Sequence, residues 1–183
     1  MNRIRWGVLA PTLLVGAVLA IAVVRFVPAE TVSPPPSSVA PGSLVLDATL
    51  RIDPLVVETE AASVLRLIDG DTLVARVDGA RQTIRLFGLQ APERDERCYG
   101  EASARLARLA PVGTPLLLHP GPRNDDGSRL LRYAFLEDGR SLDATLVAEG
   151  LAEAWRRDGQ LRDAIVGLES EARGAGRGCL WAR

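Results

Sequence analysis

The sequence predicts a small closed β-barrel with helices packed against it, and two observations support this fold class. Thr72 to Val77 and Gln82 to Phe87 alternate apolar and polar residues, and they are joined by Asp78-Gly79, a favoured two-residue hairpin turn. Further short strand-like and helix-like segments follow, each bounded by turn residues. About five short strands with helices between them are typical of the five-stranded oligonucleotide-binding barrel, the OB-fold.

The N-terminal residues 1–27 are predicted to form an apolar helix that is either a membrane anchor or a cleavable signal peptide. Trp6 to Val24 is an uncharged run of about 19 residues, long enough to span a bilayer. Arg3 and Arg5 in front of it favour a cytoplasmic N-terminus. Two sites end in the small residues that a signal peptidase accepts, Ala20-Ile21-Ala22 within the run and Val27-Pro28-Ala29 after it. Both alternatives place the domain outside the cytoplasm, either membrane-anchored or secreted.

Residues 28–54 are predicted to be a linker, because Pro28 to Ser43 is rich in Pro and Ser and has no periodic apolar residues. Leu44 to Ile52 alternates, and it either adds a strand to the domain or continues the linker. The domain proper is predicted over residues 55–183.

The elements of this domain can be predicted in chain order. An apolar run leads into Asp69-Gly70-Asp71, and the hairpin follows it. Apolar residues at helical spacing then predict three helices, and alternating runs between them predict two more strands. The helices are Tyr99 to Ala110, Leu142 to Glu149 and a C-terminal helix marked by Leu161, Ile165, Leu168 and Ala172; the strands are Pro115 to His119 and Arg129 to Leu136.

The composition excludes several classes of enzyme. All 22 basic residues are Arg, so Schiff-base chemistry and the lysine of a P-loop are absent. His119 is the one histidine, which excludes His-rich metal sites. Beyond residue 43 the chain has 19 Arg and 22 acidic residues, a net charge of −3. A nucleic-acid partner would therefore have to be held by a local arginine cluster and not by a basic surface.

The hairpin is predicted to bring acids and a guanidinium group to one place. Asp71 enters the first strand, Arg85 lies on the second, and Glu93 follows in the next loop. Carboxylates ligate hard cations, the planar fork of Arg suits phosphate oxygens, and a carboxylate can take a proton from water. This set of groups is suited to phosphate chemistry.

Several motifs together resemble the staphylococcal nuclease (thermonuclease-like) family. In order and spacing these motifs are IDGDT, IRLFGLQAPE, YGEASA, DDGSR, LVAEGLA and a terminal GCLW. The resemblance covers about residues 55–183, and it implies an OB-fold barrel with three helices. It also implies a calcium-dependent phosphodiesterase that cleaves DNA and RNA, acting as an endonuclease or an exonuclease.

The resemblance also implies a role for each matching residue. Glu93 matches the glutamate that acts on the attacking water, and Arg85 and Arg129 match the two arginines that grip the scissile phosphate. Asp71 matches a calcium-ligating aspartate, and the backbone carbonyl of Ala91 matches a further ligand.

Gln90 departs from the family pattern, because it stands where the family has a second ligating aspartate. Its amide oxygen can ligate calcium, but one negative charge is lost, so we expect weaker calcium binding or tolerance of another divalent ion. The alternative is a catalytically weak or inactive nucleic-acid-binding module.

The two cysteines, Cys98 and Cys179, either form a disulfide, which export would permit, or remain free thiols. The expected partners are nucleic acid, DNA and/or RNA with single strands favoured, and a membrane through the N-terminal segment. The chain is expected to be a monomer.

Overall fold

The computed structural model describes residues 43–182. The predicted anchor or signal peptide at residues 1–27 lies outside the described residues, as do most of the predicted linker and Arg183. Among the residues that the structure describes, no helix is both long and apolar enough to cross a membrane.

The predicted hairpin is the first part of a closed barrel. Its turn has positive φ at both central residues, 46° at Asp78 and 81° at Gly79, which is the geometry that Asp-Gly favours in a two-residue hairpin loop. The register pairs Val77 with Ala80 next to the turn and Thr72 with Arg85 at the far end. The two alternating runs therefore became paired strands, as the sequence predicts.

Five strands close the barrel in the order β1-β2-β3-β6-β5. All neighbours are antiparallel except β3 and β6, which pair in parallel, and β1 pairs with β5 to complete the closure. The strands are β1 (Glu60–Leu67), β2 (Thr72–Val77), β3 (Ala80–Leu86), β5 (Pro115–Asp125) and β6 (Leu130–Leu136), and two short strands outside the barrel, β4 (Leu89–Gln90) and β7 (Glu153–Ala154), pair with each other. The predicted five-stranded OB-fold barrel is confirmed.

Four helices accompany the barrel in the described residues. Three of them were predicted from sequence, and the fourth is a single turn near the C-terminus. They are α1 (Tyr99–Leu109), α2 (Leu142–Ala148), α3 (Arg162–Gly174) and α4 (Gly178–Trp181). Ser141 caps the N-terminus of α2, since its hydroxyl accepts a hydrogen bond from the Ala144 N–H.

The core fills the barrel and continues beneath α2 and α3. Its largest fully buried side chains include Tyr133 and Phe135 from β6, with leucines and isoleucines from the other strands and helices. Leu44 and Ile52, which precede Leu55, are also buried in this core. The packed part of the chain therefore extends ahead of residue 55, without forming the extra strand considered for residues 44–52.

A disulfide joins Cys98, immediately before α1, to Cys179 in α4, with a Cα–Cα distance of 5.8 Å. Arg97 adds a second connection at the same place, because its guanidinium donates to the carbonyl oxygens of Cys179 and Ala182. The disulfide and Arg97 thus hold α4 beside the start of α1.

Candidate active site

Asp71 is the buried carboxylate of the site, at the start of β2. Its Oδ2 accepts a hydrogen bond from the Ala91 N–H at 3.0 Å, and its Oδ1 accepts one from the Thr72 hydroxyl at 2.8 Å. Gly70 permits this packing, since a Cβ there would lie 2.8 Å from the Ala91 Cβ. Burial raises the pKa of Asp71 above its ordinary value, although the charge of Arg85 opposes the shift.

Arg85 lies opposite Thr72 in the hairpin, and every terminal nitrogen of its side chain is engaged. Nη1 lies 2.8 Å from Asp71 Oδ2 and also donates to the carbonyl oxygens of Leu86 and Leu89. Nη2 donates to Gln90 Oε1 at 2.9 Å. The guanidinium group is therefore held in one orientation by the residues around it.

Gln90 links the arginine to the predicted general base. Its Oε1 accepts from Arg85, and its Nε2 donates to Glu93 Oε1 at 3.4 Å and to the Ala91 carbonyl oxygen at 3.4 Å. An aspartate in this position has no N–H to offer, so the contact with Glu93 depends on the amide. One neutral side chain thus connects a cation and an anion.

Glu93 is exposed to solvent in the loop after β4. Its backbone N–H donates to Glu96 Oε2 at 2.7 Å, and its side chain receives the long hydrogen bond from Gln90. Its carboxylate is therefore accessible to a water molecule or a substrate from outside the protein.

Arg129 lies in the turn between β5 and β6, where Asp126 holds it in a two-pronged ion pair. Nε and Nη2 of Arg129 donate to Asp126 Oδ2 at 2.9 and 2.7 Å. Partial desolvation alone would raise the pKa of Asp126, but the hydrogen bonds from Arg129 and Ser128 outweigh it and hold the pKa well below its ordinary value. Asp126 is therefore ionised at neutral pH.

A cavity of about 200 Å³, which we call the arginine cavity, brings Arg85 and Arg129 together. Gln90 and Asp126 also line it, and Arg123 of β5 contributes a third guanidinium group. The remaining wall is apolar and aromatic; it is formed by Leu86, Phe87, Leu89, Leu131 and Trp155. Three cations against one carboxylate make this cavity suitable for a phosphate group.

A second cavity, of about 450 Å³, lies on the other side of Gln90, and we call it the glutamate cavity. It is lined by Gln90, Ala91, Pro92, Glu93, Glu96, Arg97, Glu153 and Leu180. Gln90 is common to both cavities, whereas Glu93 belongs to the second alone. The structure therefore places the predicted base next to the cavity of the two predicted arginines, across the Gln90 side chain.

The predicted calcium ligands do not fit a calcium ion in this arrangement. Calcium takes six to eight oxygen ligands and binds more tightly as their negative charge increases. Here Asp71 Oδ2 and Gln90 Oε1 both face Arg85, and the Ala91 carbonyl oxygen accepts from the Gln90 amide. Within residues 43–182, no group of three or more His, Cys, Asp or Glu side chains is suited to a metal. Weak calcium binding stays a prediction, and we assign no step to the ion.

Asp143 holds the segment between β3 and β4 through Gly88, a role that no local sequence pattern indicates. Its side chain is fully buried, with Oδ1 accepting from the Gly88 N–H at 2.8 Å and Oδ2 from the Ala134 N–H at 3.1 Å. Gly88 has no room for a side chain, because a Cβ would lie 2.5 Å from Ile165 and 3.1 Å from Asp143 Oδ1. Burial raises the pKa of Asp143 to about 6, despite these hydrogen bonds.

Sequence reasoning also missed Arg123 and the ion pair of Asp126 with Arg129. Nothing in the local pattern marks Arg123, which lies near the end of the long strand β5, where the pairing with β6 shifts register between Pro120 and Asp125. The i,i+3 spacing of Asp126 and Arg129 across an Asp-Gly turn is the one signal that could have indicated the pair.

Comparisons with known proteins assign the amino-acid sequence to a family. The family model described as "Staphylococcal nuclease homologue" matches residues 83–183. "Endonuclease YncB" of Bacillus subtilis (strain 168) is 39% identical over 94 residues, which is 48% of this chain and 44% of that protein. This chain thus spans less than half of that relative's length.

Two further relatives extend the match. "Protein ParB" of Escherichia coli is 32% identical over 152 residues, 75% of this chain and 84% of that protein. "Thermonuclease" of Staphylococcus intermedius is 31% identical over 104 residues, 54% of this chain and 61% of that protein. Since the family model covers more than half of the chain and ParB matches across most of both sequences, the chain belongs to the staphylococcal nuclease family.

Proposed function

We propose that this protein is a nuclease that hydrolyses phosphodiester bonds in nucleic acid. The observation that carries the proposal is the arginine cavity, in which Arg85 and Arg129 face one space beside the exposed Glu93 carboxylate. The relatives named as endonuclease and thermonuclease support the same reaction.

In the proposed reaction, Glu93 takes a proton from a water molecule as the water oxygen attacks phosphorus. The bond from phosphorus to the leaving oxygen breaks, and the leaving oxygen ends as a hydroxyl after taking a proton from solvent. Arg85 and Arg129 donate to the non-bridging oxygens, on which negative charge builds up in the transition state. Because Asp71 and Gln90 fix Arg85 before substrate arrives, little reorganisation is needed at that moment.

The finer properties belong to the proposal as well. We infer that the substrate is DNA and/or RNA, preferably single-stranded, and that the protein acts as a monomer outside the cytoplasm. Members of this family are generally calcium-dependent, and we expect any calcium requirement here to be weak, because Gln90 supplies no charge.

A second candidate function is a nucleic-acid-binding module with little catalysis. The observation that favours it is the hydrogen bond from Gln90 Nε2 to Glu93 Oε1, since the amide occupies an acceptor position that an attacking water molecule would need. The arginine cavity would retain its affinity for phosphate in that case.

Digestion of labelled single-stranded DNA and RNA by the full chain separates the two functions. We expect Glu93→Gln to lower the cleavage rate on the order of 10³-fold, because the general base is lost. Glu101→Gln, an exposed glutamate on α1, is the matched control and should cleave as the wild type does. Parallel reactions with added calcium and with chelator measure the metal requirement.

Two results would contradict the nuclease proposal. Cleavage by Glu93→Gln at the wild-type rate would remove Glu93 from the reaction. Binding of the labelled strands without cleavage under every metal condition would favour the binding module.

A further inference from the structure

Arg123 differs from the other two arginines of the arginine cavity in the number of donors that it leaves unused. Arg85 has both terminal nitrogens engaged by the protein, and Arg129 uses Nε and Nη2 on Asp126. Arg123 uses only Nε, which donates to Asp158 Oδ2 at 3.0 Å. Within residues 43–182, neither Nη1 nor Nη2 of Arg123 has a hydrogen-bond partner.

The Arg123 guanidinium is nevertheless held in place. Its central carbon lies 5.4 Å from the centroid of the Phe87 ring and 5.8 Å from that of the Trp155 ring, within range of a cation–π contact. Asp158 is fixed in turn, because its Oδ1 accepts from Trp155 Nε1 at 2.7 Å. The hydrogen bond from Trp155, with that from Arg123, holds the pKa of Asp158 below its ordinary value.

Backbone contacts hold Trp155 and Arg123 at the arginine cavity. Trp155 follows β7 directly, and its backbone N–H donates to the Gly88 carbonyl oxygen at 2.9 Å, which holds the Trp155 backbone beside the segment between β3 and β4. On β5, a Cβ at Gly121 would lie 2.9 Å from the Phe87 ring, so glycine is needed for the strand to pass this ring. Arg123 follows two residues later.

A held guanidinium whose two terminal nitrogens have no partner in the described part of the chain offers both of them to a phosphate. The side chain is 49% exposed, so a ligand can reach it without displacing protein. A single phosphate between Arg85 and Arg129 does not require it, whereas a polynucleotide brings a further phosphate to each neighbouring position. The ligand class that uses all three arginines is therefore a strand with at least two phosphates.

We propose that Arg123 binds the phosphate adjacent to the one held by Arg85 and Arg129, and that Trp155 and Asp158 position it. Arg123 is then a specificity residue that favours oligonucleotides over compounds with one phosphodiester. This inference rests on the proposed function, because it assumes that the ligand is a nucleic-acid strand.

The test compares the binding of two short single strands to the full chain, in chelator and with the Glu93→Gln background to prevent turnover. One probe is a labelled dinucleotide with one phosphate, and the other is a labelled trinucleotide with two. We expect Arg123→Gln to weaken trinucleotide binding about tenfold and to leave dinucleotide binding unchanged. The slope of log affinity against log salt should fall by about 0.7 for the trinucleotide, which corresponds to one lost phosphate contact.

Arg157→Gln is the matched control, because Arg157 also lies near the Trp155 ring, at 5.4 Å, but does not line the arginine cavity. Arg123→Lys should keep most of the salt slope, because the charge remains, but it cannot bind the phosphate with two parallel N–H donors as Arg does. Thermal unfolding of each variant checks that it folds.

Equal effects of Arg123→Gln on the two probes, or an unchanged salt slope, would overturn the inference. If Arg85→Gln abolished binding in the same assay while Arg123→Gln did not affect it, this inference would fail and the proposed function would stand. A wild-type chain that bound neither probe would overturn both.

Discussion

The arginine cavity and the glutamate cavity share Gln90 but are opposite in charge. The first has three guanidinium groups and one carboxylate, and the second has three glutamates and one arginine. The Gln90 amide presents its oxygen to Arg85 on one side and its N–H to Glu93 on the other. A neutral residue with both a donor and an acceptor is suited to this boundary, whereas an aspartate would offer acceptors alone. The Gln90 amide therefore connects two cavities of opposite charge through hydrogen bonds.

Among changes to the two cavities, the largest effect is expected from Arg85→Gln, since Arg85 contacts both Asp71 and Gln90. Cleavage should fall roughly 10³-fold, because a fixed donor to the phosphoryl oxygens is lost. The free energy of unfolding should fall by about 3 kcal/mol, because Asp71 is left buried without its cation. Kinetics and urea unfolding measure the two changes.

Arg81→Gln is the control for this experiment. Arg81 lies on the same strand, is exposed, and is remote from the site. Equal losses in Arg81→Gln and Arg85→Gln would mean that the change reflects net charge and not the cavity.

A smaller effect is expected from pH, through the buried Asp143 carboxylate that accepts hydrogen bonds from the Gly88 and Ala134 N–H groups. Asp143 has a pKa of about 6 in the folded protein and an ordinary value of 3.8, so the folded state keeps a proton that the unfolded state releases between these values. The free energy of unfolding should therefore be highest below about pH 4, decrease by up to about 3 kcal/mol as the pH rises to about 6, and then level off.

Other carboxylates also titrate in this range, so the informative quantity is the difference between the wild type and Asp143→Asn in urea unfolding. We expect the variant to be less stable at low pH, because its amide cannot accept from both Gly88 and Ala134. Its stability should lack the decrease assigned to Asp143. Parallel pH curves for the two proteins would show that Asp143 does not titrate in this way.

The smallest effect is expected from Gln90→Asp, which changes the residue that the arginine cavity and the glutamate cavity share. The substitution removes the donor to Glu93 and adds a carboxylate near Asp71, so the affinity for calcium should rise. We expect about a tenfold gain in cleavage at limiting calcium. Gln90→Asn shortens the side chain without adding a charge, so it should give no gain in cleavage at limiting calcium. An unchanged calcium dependence in Gln90→Asp would mean that position 90 is not a metal ligand.

The sequence predicted those parts of the fold that local signals determine. The Asp78-Gly79 turn fixes the hairpin register, and that register alone brings Asp71 to Arg85. The helix positions followed from apolar spacing in the same way. The closure of the barrel through the parallel pairing of β3 with β6 has no local signal, because it depends on how distant segments pack.

The candidate site was predicted less completely, for a physical reason. The matching motifs indicated Arg85, Glu93 and Arg129, but what each side chain does depends on its neighbours in space. Gln90 could be recognised as a missing charge, whereas its two-sided hydrogen bonding is a property of the folded chain. Arg123 lines the cavity beside the ring of Trp155, which lies 32 positions later in the sequence, so no local pattern indicates it.

The disulfide between Cys98 and Cys179 has a consequence for resistance to proteolysis. It closes a covalent ring that contains Arg123, Arg129 and Trp155, including the exposed turn that Asp126 begins. A protease that cuts this turn opens the ring but leaves one covalently continuous molecule, because each of the two pieces contains one cysteine of the disulfide. A nicked chain can therefore keep its arginines assembled, and its two pieces separate only after the disulfide is also reduced.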